Sequence, residues 1–355
     1  MAKSKKAEQI LNEKSDDLFS SMEEKFGKGV MVKASTKKSD EVKEWVSTGS
    51  LTLDNATGGL GIPKGKCTCI LGKESSSKTT LAAHIIAEDQ KKGNLCCFLD
   101  AEDTLDLAYI EAIGVNLDML HIVDREGLLK SLGVKDREVL SGEEWLGFAC
   151  DVLKSNLYGT VVFDSVACLI PMAEIMQGIQ GGRLAGVASM MAKAYRAINA
   201  AMTVSKSAFV YLNQYRMNPG GYVPLVEPGG EAWKYLQALK IEISKSVDKD
   251  ANGAYGIMVK GKITKSKVCI PYKTFEYYVE FGKGIIREKE VFDLALQMGY
   301  LIKAGSWFSD DKGDRLGQGE DAVLKLFKDN PEYYKELEAR VVENLGNIKI
   351  KDDGE

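Results

Sequence analysis

Gly72-Lys73-Glu74-Ser75-Ser76-Ser77-Lys78-Thr79-Thr80 decides how this chain of 355 residues is read. The apolar run Cys67 to Leu71 before it predicts a buried strand, and Leu81 to Ala87 after it carries helical apolar content. A glycine-led, hydroxyl-rich loop at a strand-to-helix turn surrounds phosphate with backbone N–H groups and the positive end of a helix dipole. Lys78 then supplies a point charge at the β/γ oxygens, and the Thr79 hydroxyl a ligand for Mg²⁺. One residue departs from the usual loop: Ser77 stands where a glycine is expected immediately before the lysine. A left-handed backbone at that serine costs roughly 1–2 kcal/mol, a right-handed one only a few tenths. A ligand-free Ser/Lys/Thr-rich helix cap is the alternative, and the carboxylates farther along weigh against it.

Outward from the loop, Leu95 to Asp100, Thr160 to Asp164, Ala208 to Asn213 and Lys240 to Ser244 read as further strands, with helical segments between the first four strands. This alternation predicts an α/β fold with a mostly parallel sheet covered on both faces. Ligands in such folds lie beyond the carboxyl ends of the strands. The phosphate loop, Asp100/Glu102, Asp164/Ser165 and Asn213/Gln214 all fall there. Asp164 is placed to reach Mg²⁺ through water, and Glu102 to orient or deprotonate an attacking water. Gln214 carries an amide that both donates and accepts, the chemistry needed to sense a γ-phosphate.

Only His84 and His121 are present, which argues against histidine triads and zinc hydrolysis and leaves acid–base work to carboxylates. The seven cysteines lack zinc-type spacing and read as reduced packing residues. No apolar run is long enough for a membrane span and no leader pattern opens the chain, so a soluble cytoplasmic protein without a membrane partner is expected. Net charge is −4, yet Ile175 to Val226 holds no Asp or Glu in 52 residues while carrying Arg183, Lys193, Arg196, Lys206 and Arg216. Ala251 to Phe275 is likewise acid-free and carries five lysines. A surface facing a polyanion needs such exclusion; solvated helix faces are the plainer explanation. Two glycine-rich loops, at about 176–186 and 217–230, lie in the first stretch, the second running past its end through Glu227. Residues 1–46 predict a helix and an extended arm, and 47–283 a nucleotide-binding core. From 284 to 355, amphipathic segments at Val291 to Leu301, Ala322 to Leu326 and Tyr333 to Leu345 predict a small helical C-terminal domain with a short acidic tail.

The order and spacing of these motifs resemble the bacterial-type RecA recombinase family, with the chain as a divergent bacteriophage-encoded member. The matching stretches are Phe26 to Gly29, Val46 to Asp54, the phosphate loop, Asp100 to Asp106, Val162 to Ala167, Pro171 to Ile175, Asn213 to Met217, Lys265 to Lys267 and Gly317 to Gly319. The resemblance implies a RecA-type core with a small α+β C-terminal domain, and an ATP- and Mg²⁺-dependent protein that forms helical filaments on single-stranded DNA. Strand exchange with homologous duplex, DNA-stimulated hydrolysis and a role in DNA repair follow, in a bacterial or phage-infected cell, with single-strand-binding and loader proteins as further partners. It also implies site roles. Gly72 through Thr80 hold phosphate, with Thr79 and Asp164 at the metal; Glu102 activates water, and Gln214 couples the phosphate to the second loop. Asp106 and Tyr109 contact adenine, and Phe281 caps the base from a neighbouring subunit. Lys265 and Lys267 reach a neighbour's γ-phosphate. Arg183, Gly186, Ser189, Arg196, Arg216, Gly229, Gly230 and Glu231 line the DNA path.

Some residues depart from the family pattern. Ser77 replaces the loop glycine, Ser189 a usual arginine and Glu231 a usual asparagine; the second loop is short, and an extra segment runs from about Glu126 to Leu140. These changes bear on turnover and DNA affinity. Two rival readings remain: a hydrolysis-impaired, filament-forming DNA-binding regulator, and a ring-forming helicase of the same core fold.

Overall fold

The charged N-terminal stretch folds as one long helix, α1 (Ala2–Phe26), which stops where the Gly27 N–H meets the Glu23 carbonyl at 2.9 Å. The computed structural model describes residues 2–32, 35, 42–135, 137–177, 184–217, 225–250 and 253–345. The chain divides into two units, 1–41 and 42–355.

The second unit begins with a short antiparallel pair, β1 (Trp45–Val46) and β2 (Ile62–Pro63), around α2 (Leu51–Ala56). Its centre is β3 (Cys67–Gly72), buried at every residue and feeding α3 (Lys78–Gln90). There follow β4 (Cys96–Asp100), α4 (Leu107–Ile113), β5 (Leu120–Val123), α5 (Arg125–Ser131), α6 (Gly142–Ser155) and β6 (Thr160–Asp164). Next come α7 (Met172–Gln177), α8 (Leu184–Met202), β7 (Ala208–Gln214), the pair β8 (Arg216–Met217) and β9 (Leu225–Val226), and α9 (Gly230–Leu236). A long hairpin, β10 (Gln237–Asp250) with β11 (Gly253–Ser266), is extended by β12 (Thr274–Glu280) and β13 (Gly284–Ile285).

The main sheet runs β13-β12-β11-β10-β3-β7-β6-β4-β5. From β10 to β5 every pairing is parallel, and from β10 to β13 antiparallel. Alternation along each strand feeds two cores: Ile70, Phe98, Val162, Leu212 and Ile241 meet α3 on one face, while Leu71, Leu99, Phe163, Phe209 and Tyr211 meet α6, α8 and Trp233 of α9 on the other. Each such side chain contributes about 1.5–3 kcal/mol on burial, which fixes the strand ends that carry the polar groups.

The C-terminal region packs α10 (Arg287–Gln297), α11 (Glu320–Asp329) and α12 (Pro331–Asn344) with a small antiparallel sheet of β14 (Leu301–Ala304), β15 (Trp307–Asp310) and β16 (Arg315–Gln318). Phe292, Phe308, Val323, Phe327 and Val341 form its core, joined by Leu51 of α2. Glu290 is buried at this junction and accepts from Ser50 Oγ at 2.7 Å, Thr52 Oγ1 at 2.8 Å, Thr52 N at 3.1 Å and Leu51 N at 3.2 Å. A carboxylate from one region thus caps a helix of the other.

Four sequence expectations are corrected. Leu301 opens a strand rather than closing a helix, because the helix ends at Gln297 and Gly299 takes a left-handed turn. The strand expected at Lys240 to Ser244 spans Gln237–Asp250, its outer half too polar to signal itself by apolar content. Strand β5 was not expected; only Leu120 of its four residues is buried. The first glycine-rich loop ends earlier than expected, since Leu184 to Gly186 belong to α8; residues 178–183 and 218–224 of the two loops lie outside the described residues.

Candidate functional site

The phosphate loop connects β3 to α3 through two left-handed serines, Ser75 at φ 54° and Ser77 at φ 74°, ψ 24°. The left-handed alternative for Ser77 is therefore the one adopted. Gly72 has no room for a side chain: a Cβ would lie 2.8 Å from the Ile243 carbonyl oxygen. Lys78 Nζ donates to the Lys73 carbonyl at 2.8 Å and to that of Gly72 at 3.4 Å. Burial pulls its pKa down, against the pull of Asp164 and Glu102. Ser76 Oγ and Ser77 Oγ are buried without a protein partner. Unsatisfied donors beside a lysine fit phosphate oxygens, because each orphaned hydroxyl costs about 1–3 kcal/mol until it finds an acceptor.

Strands β4, β6 and β7 bring the remaining polar groups to the same end of the sheet. Thr79 Oγ1 lies 2.9 Å from Asp164 Oδ2. Burial pushes the Asp164 carboxyl up to about 7, and Glu102 and Asp100 add to the rise while Thr79 and Lys78 oppose it. Glu102 Oε1 accepts from the Ser165 hydroxyl, and from the Gln214 amide at 3.5 Å. Cys168 Sγ, half-buried alongside, donates to the Ser165 carbonyl at 3.0 Å and the Ala101 carbonyl at 3.5 Å; burial raises its thiol pKa to about 11. A cavity of about 310 Å³ is lined by Glu74 to Thr80 together with Glu102, Tyr109, Asp164, Gln214, Ile257, Val279 and Phe281.

Among the described residues no set of three His, Cys, Asp or Glu is placed to hold a metal ion. A hydroxyl and a single carboxylate, Thr79 and Asp164, suit a cation that keeps most of its waters and takes phosphate oxygens, which is how Mg²⁺ binds in phosphoryl-transfer sites. The residues present therefore fit that ion.

The remaining site residues divide. Tyr109 enters the cleft, its hydroxyl 3.0 Å from Thr80 Oγ1. Asp106 caps α4, accepting from Tyr109 N at 3.1 Å. Phe281, which the resemblance implies as a cap on a neighbour's base, is also among the residues lining the cleft of its own chain. Lys265 and Lys267 stand apart from that cleft: Lys265 Nζ bonds the Lys234 carbonyl and Lys267 Nζ the Tyr235 carbonyl at 2.9 Å. Ser189 and Arg196 are exposed on α8, and Gly186 of the same helix packs beside Pro171. Arg216 bonds the Ala167 carbonyl. Gly229 and Gly230 form the left-handed entry to α9, and Glu231 pairs with Lys234 along that helix. Arg183 lies outside the described residues. Sequence reasoning gave no functional weight to Ser165 as the partner of Glu102; its place next to Asp164 at a strand end was the available signal.

Family comparison accounts for this arrangement along nearly the whole chain. The model of the RecA N-terminal domain matches residues 14–286, and that of the RecA C-terminal domain residues 289–346. The chain belongs to the RecA family. Protein RecA of Rickettsia bellii (strain RML369-C) is 37% identical over 330 residues, covering 92% of each chain. Protein RecA of Staphylococcus carnosus (strain TM300) is 36% identical over 346 residues, covering 95% of this chain and 93% of its own. That of Desulforapulum autotrophicum is 36% identical over 328 residues, covering 92% and 90%. A crystal structure of the RadB recombinase shares the fold at a TM-score of 0.50 and 15% identity, covering 68% of this chain and 98% of that one. As a RecA-type recombinase the chain is a DNA-dependent ATPase of DNA recombination and repair. Among the described residues no helix is long and apolar enough to cross a membrane.

Proposed function

We propose that this RecA-family chain polymerises on single-stranded DNA with ATP and Mg²⁺ and exchanges that strand into homologous duplex. The meeting of Lys78, Thr79, Glu102, Asp164 and Gln214 at one end of the sheet is the observation that carries this reading. The phosphate loop and Lys78 hold the triphosphate, Ser76 and Ser77 donate to its oxygens, and Tyr109 and Phe281 flank the base. Thr79 and Asp164 would hold Mg²⁺, which would offset the negative charge that develops on the phosphates. Glu102, oriented by Ser165, positions the attacking water and takes its proton. Gln214 relays the state of the γ-phosphate to the segment that follows it.

In this reading residues 1–46 form the polymerisation arm, 47–283 the ATPase core and 284–355 the C-terminal domain. Lys265 and Lys267 leave the α9 carbonyls to complete a neighbour's site. The two glycine-rich loops, with Arg183, Gly186, Ser189, Arg196, Arg216, Gly229, Gly230 and Glu231, follow the DNA backbone. Single-strand-binding and loader proteins act as partners in the bacterial cytoplasm. The test is electron microscopy of full-length protein with single-stranded DNA, ATP and Mg²⁺, alongside a joint-molecule assay; absence of both filaments and joint molecules sinks the proposal. The left-handed Ser77 favours one second reading, a hydrolysis-impaired regulator. Substantial DNA-stimulated phosphate release by the native chain excludes it, and a large gain confined to Ser77→Gly supports it.

A further inference from the structure

Behind the phosphate loop lies a set of charged and hydroxyl groups that the hydrolytic site does not use. Lys240 Nζ sits 2.9 Å from Glu227 Oε2 and 2.8 Å from Glu242 Oε1. Glu242 also accepts from the Tyr215 hydroxyl at 2.7 Å and the Thr264 hydroxyl at 2.9 Å. The Glu227 side chain is 5% exposed and that of Lys240 16%. Burial opposes the charge on Glu242, yet hydrogen bonds from Lys240, Tyr215 and Thr264 outweigh it and hold the carboxyl below its usual range. Two carboxylates thus share one ammonium, and uncharged hydroxyls take up the surplus negative charge.

Such a partly buried ion set, with Glu242 29% exposed, is a weak source of net stability, since desolvation and solvent screening consume most of the Coulombic gain. Its geometry has a clearer use. Gln214 of β7, Gly72 of β3 and Ile243 of β10 are register partners across three adjacent strands. The Tyr215–Glu242 bond therefore passes over the first residue of the phosphate loop and anchors the residue next to Gln214. On the far side, Glu227 follows β9, and Asn213 ties the two stems together: its Oδ1 accepts from Gln214 N at 3.0 Å and its Nδ2 donates to the Pro228 carbonyl at 3.1 Å. Tyr215 and Glu242 also wall a cavity of about 580 Å³ beside Lys73 and Glu74.

We infer that Tyr215 and Glu242 are positioning residues for ATP hydrolysis: their hydrogen bond, locked by Lys240 and Glu227, fixes the backbone that presents Gln214 to Glu102. The inference rests on the reading of Gln214 as the γ-phosphate sensor. DNA held near Arg216 pulls on the same stem, so the bond converts DNA engagement into a fixed amide position at the cleft.

The experiment measures phosphate release by the full chain with and without single-stranded DNA for native protein, Tyr215→Phe, Glu242→Gln, Gln214→Ala and the double variant Tyr215→Phe/Gln214→Ala. A hydrogen bond to a charged group is worth about 1.5–3 kcal/mol, so Tyr215→Phe lowers DNA-stimulated kcat by about tenfold or more, with the KM for ATP within about twofold and a melting temperature lower by only a few degrees, leaving the chain fully folded at the assay temperature. Glu242→Gln gives a loss in the same direction. The double variant loses no more than Gln214→Ala alone, because both act through one amide. If Gln214→Ala abolishes stimulation while Tyr215→Phe keeps native stimulation, or if the two losses add, the positioning role is overturned and the site reading stands. If Gln214→Ala itself keeps full stimulation, the site reading falls and this inference falls with it.

Discussion

Ser77 holds a left-handed backbone and a buried hydroxyl without a partner, two penalties at one residue of the phosphate loop. Glycine removes both, so Ser77→Gly stabilises the nucleotide-free protein by about 1–2 kcal/mol, read as a higher melting temperature. The same change deletes a donor to phosphate, so the further rise in melting temperature on adding ATP and Mg²⁺ is smaller than in the native chain. An equal or larger rise would show that the serine hydroxyl does not meet phosphate. Lys78, Thr79, Glu102 and Asp164 were legible in the sequence because each follows or ends an apolar run, which fixes its end of the sheet. The Tyr215–Glu242 bond was not: its partners are 27 residues apart and come together only through strand order.

At the level of elements, α3 carries the phosphate loop's lysine at one end and His84 in its middle. His84 Nε2 accepts from Ile285 N at 2.8 Å, pinning α3 to β13, and Gly284 sits against the ring where a Cβ would come within 2.5 Å of Nε2. Burial, with Lys91 and Arg287 nearby, lowers the His84 pKa to about 4. Between about pH 6.5 and 4 the unfolded imidazole binds a proton that the folded one refuses, so this contribution is present at neutral pH and lost as pH falls, up to about 3 kcal/mol. Glu290 has the opposite sign. Burial raises its carboxyl to about 7, against the donors from Ser50, Leu51 and Thr52. Its contribution is present at low pH and fades as pH rises from about 4.5 through 7. Urea midpoints at pH 5 and 7.5 separate the two: relative to native protein, His84→Gln loses less on acidification and Glu290→Gln gains less. Neither junction was visible in the sequence, because each joins segments about 200 or more residues apart. The parallel core was legible from its unbroken, buried apolar strands, whereas β5 and strands β14 and β16 of the C-terminal sheet are only four residues long and largely exposed, too short to give a pattern.

For the whole molecule, a net charge of −4 and a DNA-binding role are reconciled by where the charges lie. Arg196 and Arg216 are exposed on segments free of acids, while the acidic residues gather elsewhere in the chain. Each phosphate contact on a single strand contributes about 0.7 to the slope of log affinity against log salt. Arg196→Ala therefore flattens that slope by about 0.7, measured by fluorescence anisotropy from low to moderate salt with a non-hydrolysable nucleotide. An unchanged slope would remove Arg196 from the DNA path.

Cys168 offers a built-in gauge. Its thiol is wedged between the turn that bears Glu102 and the turn after Asp164, and its raised pKa keeps it sluggish toward alkylating reagents. Any motion that spreads those turns uncovers sulfur before it breaks a strand. Timed iodoacetamide labelling, read at this cysteine by peptide mass spectrometry, then clocks the opening of the cleft without an introduced probe, and a labelling rate indifferent to nucleotide would mean that the turns move as one body.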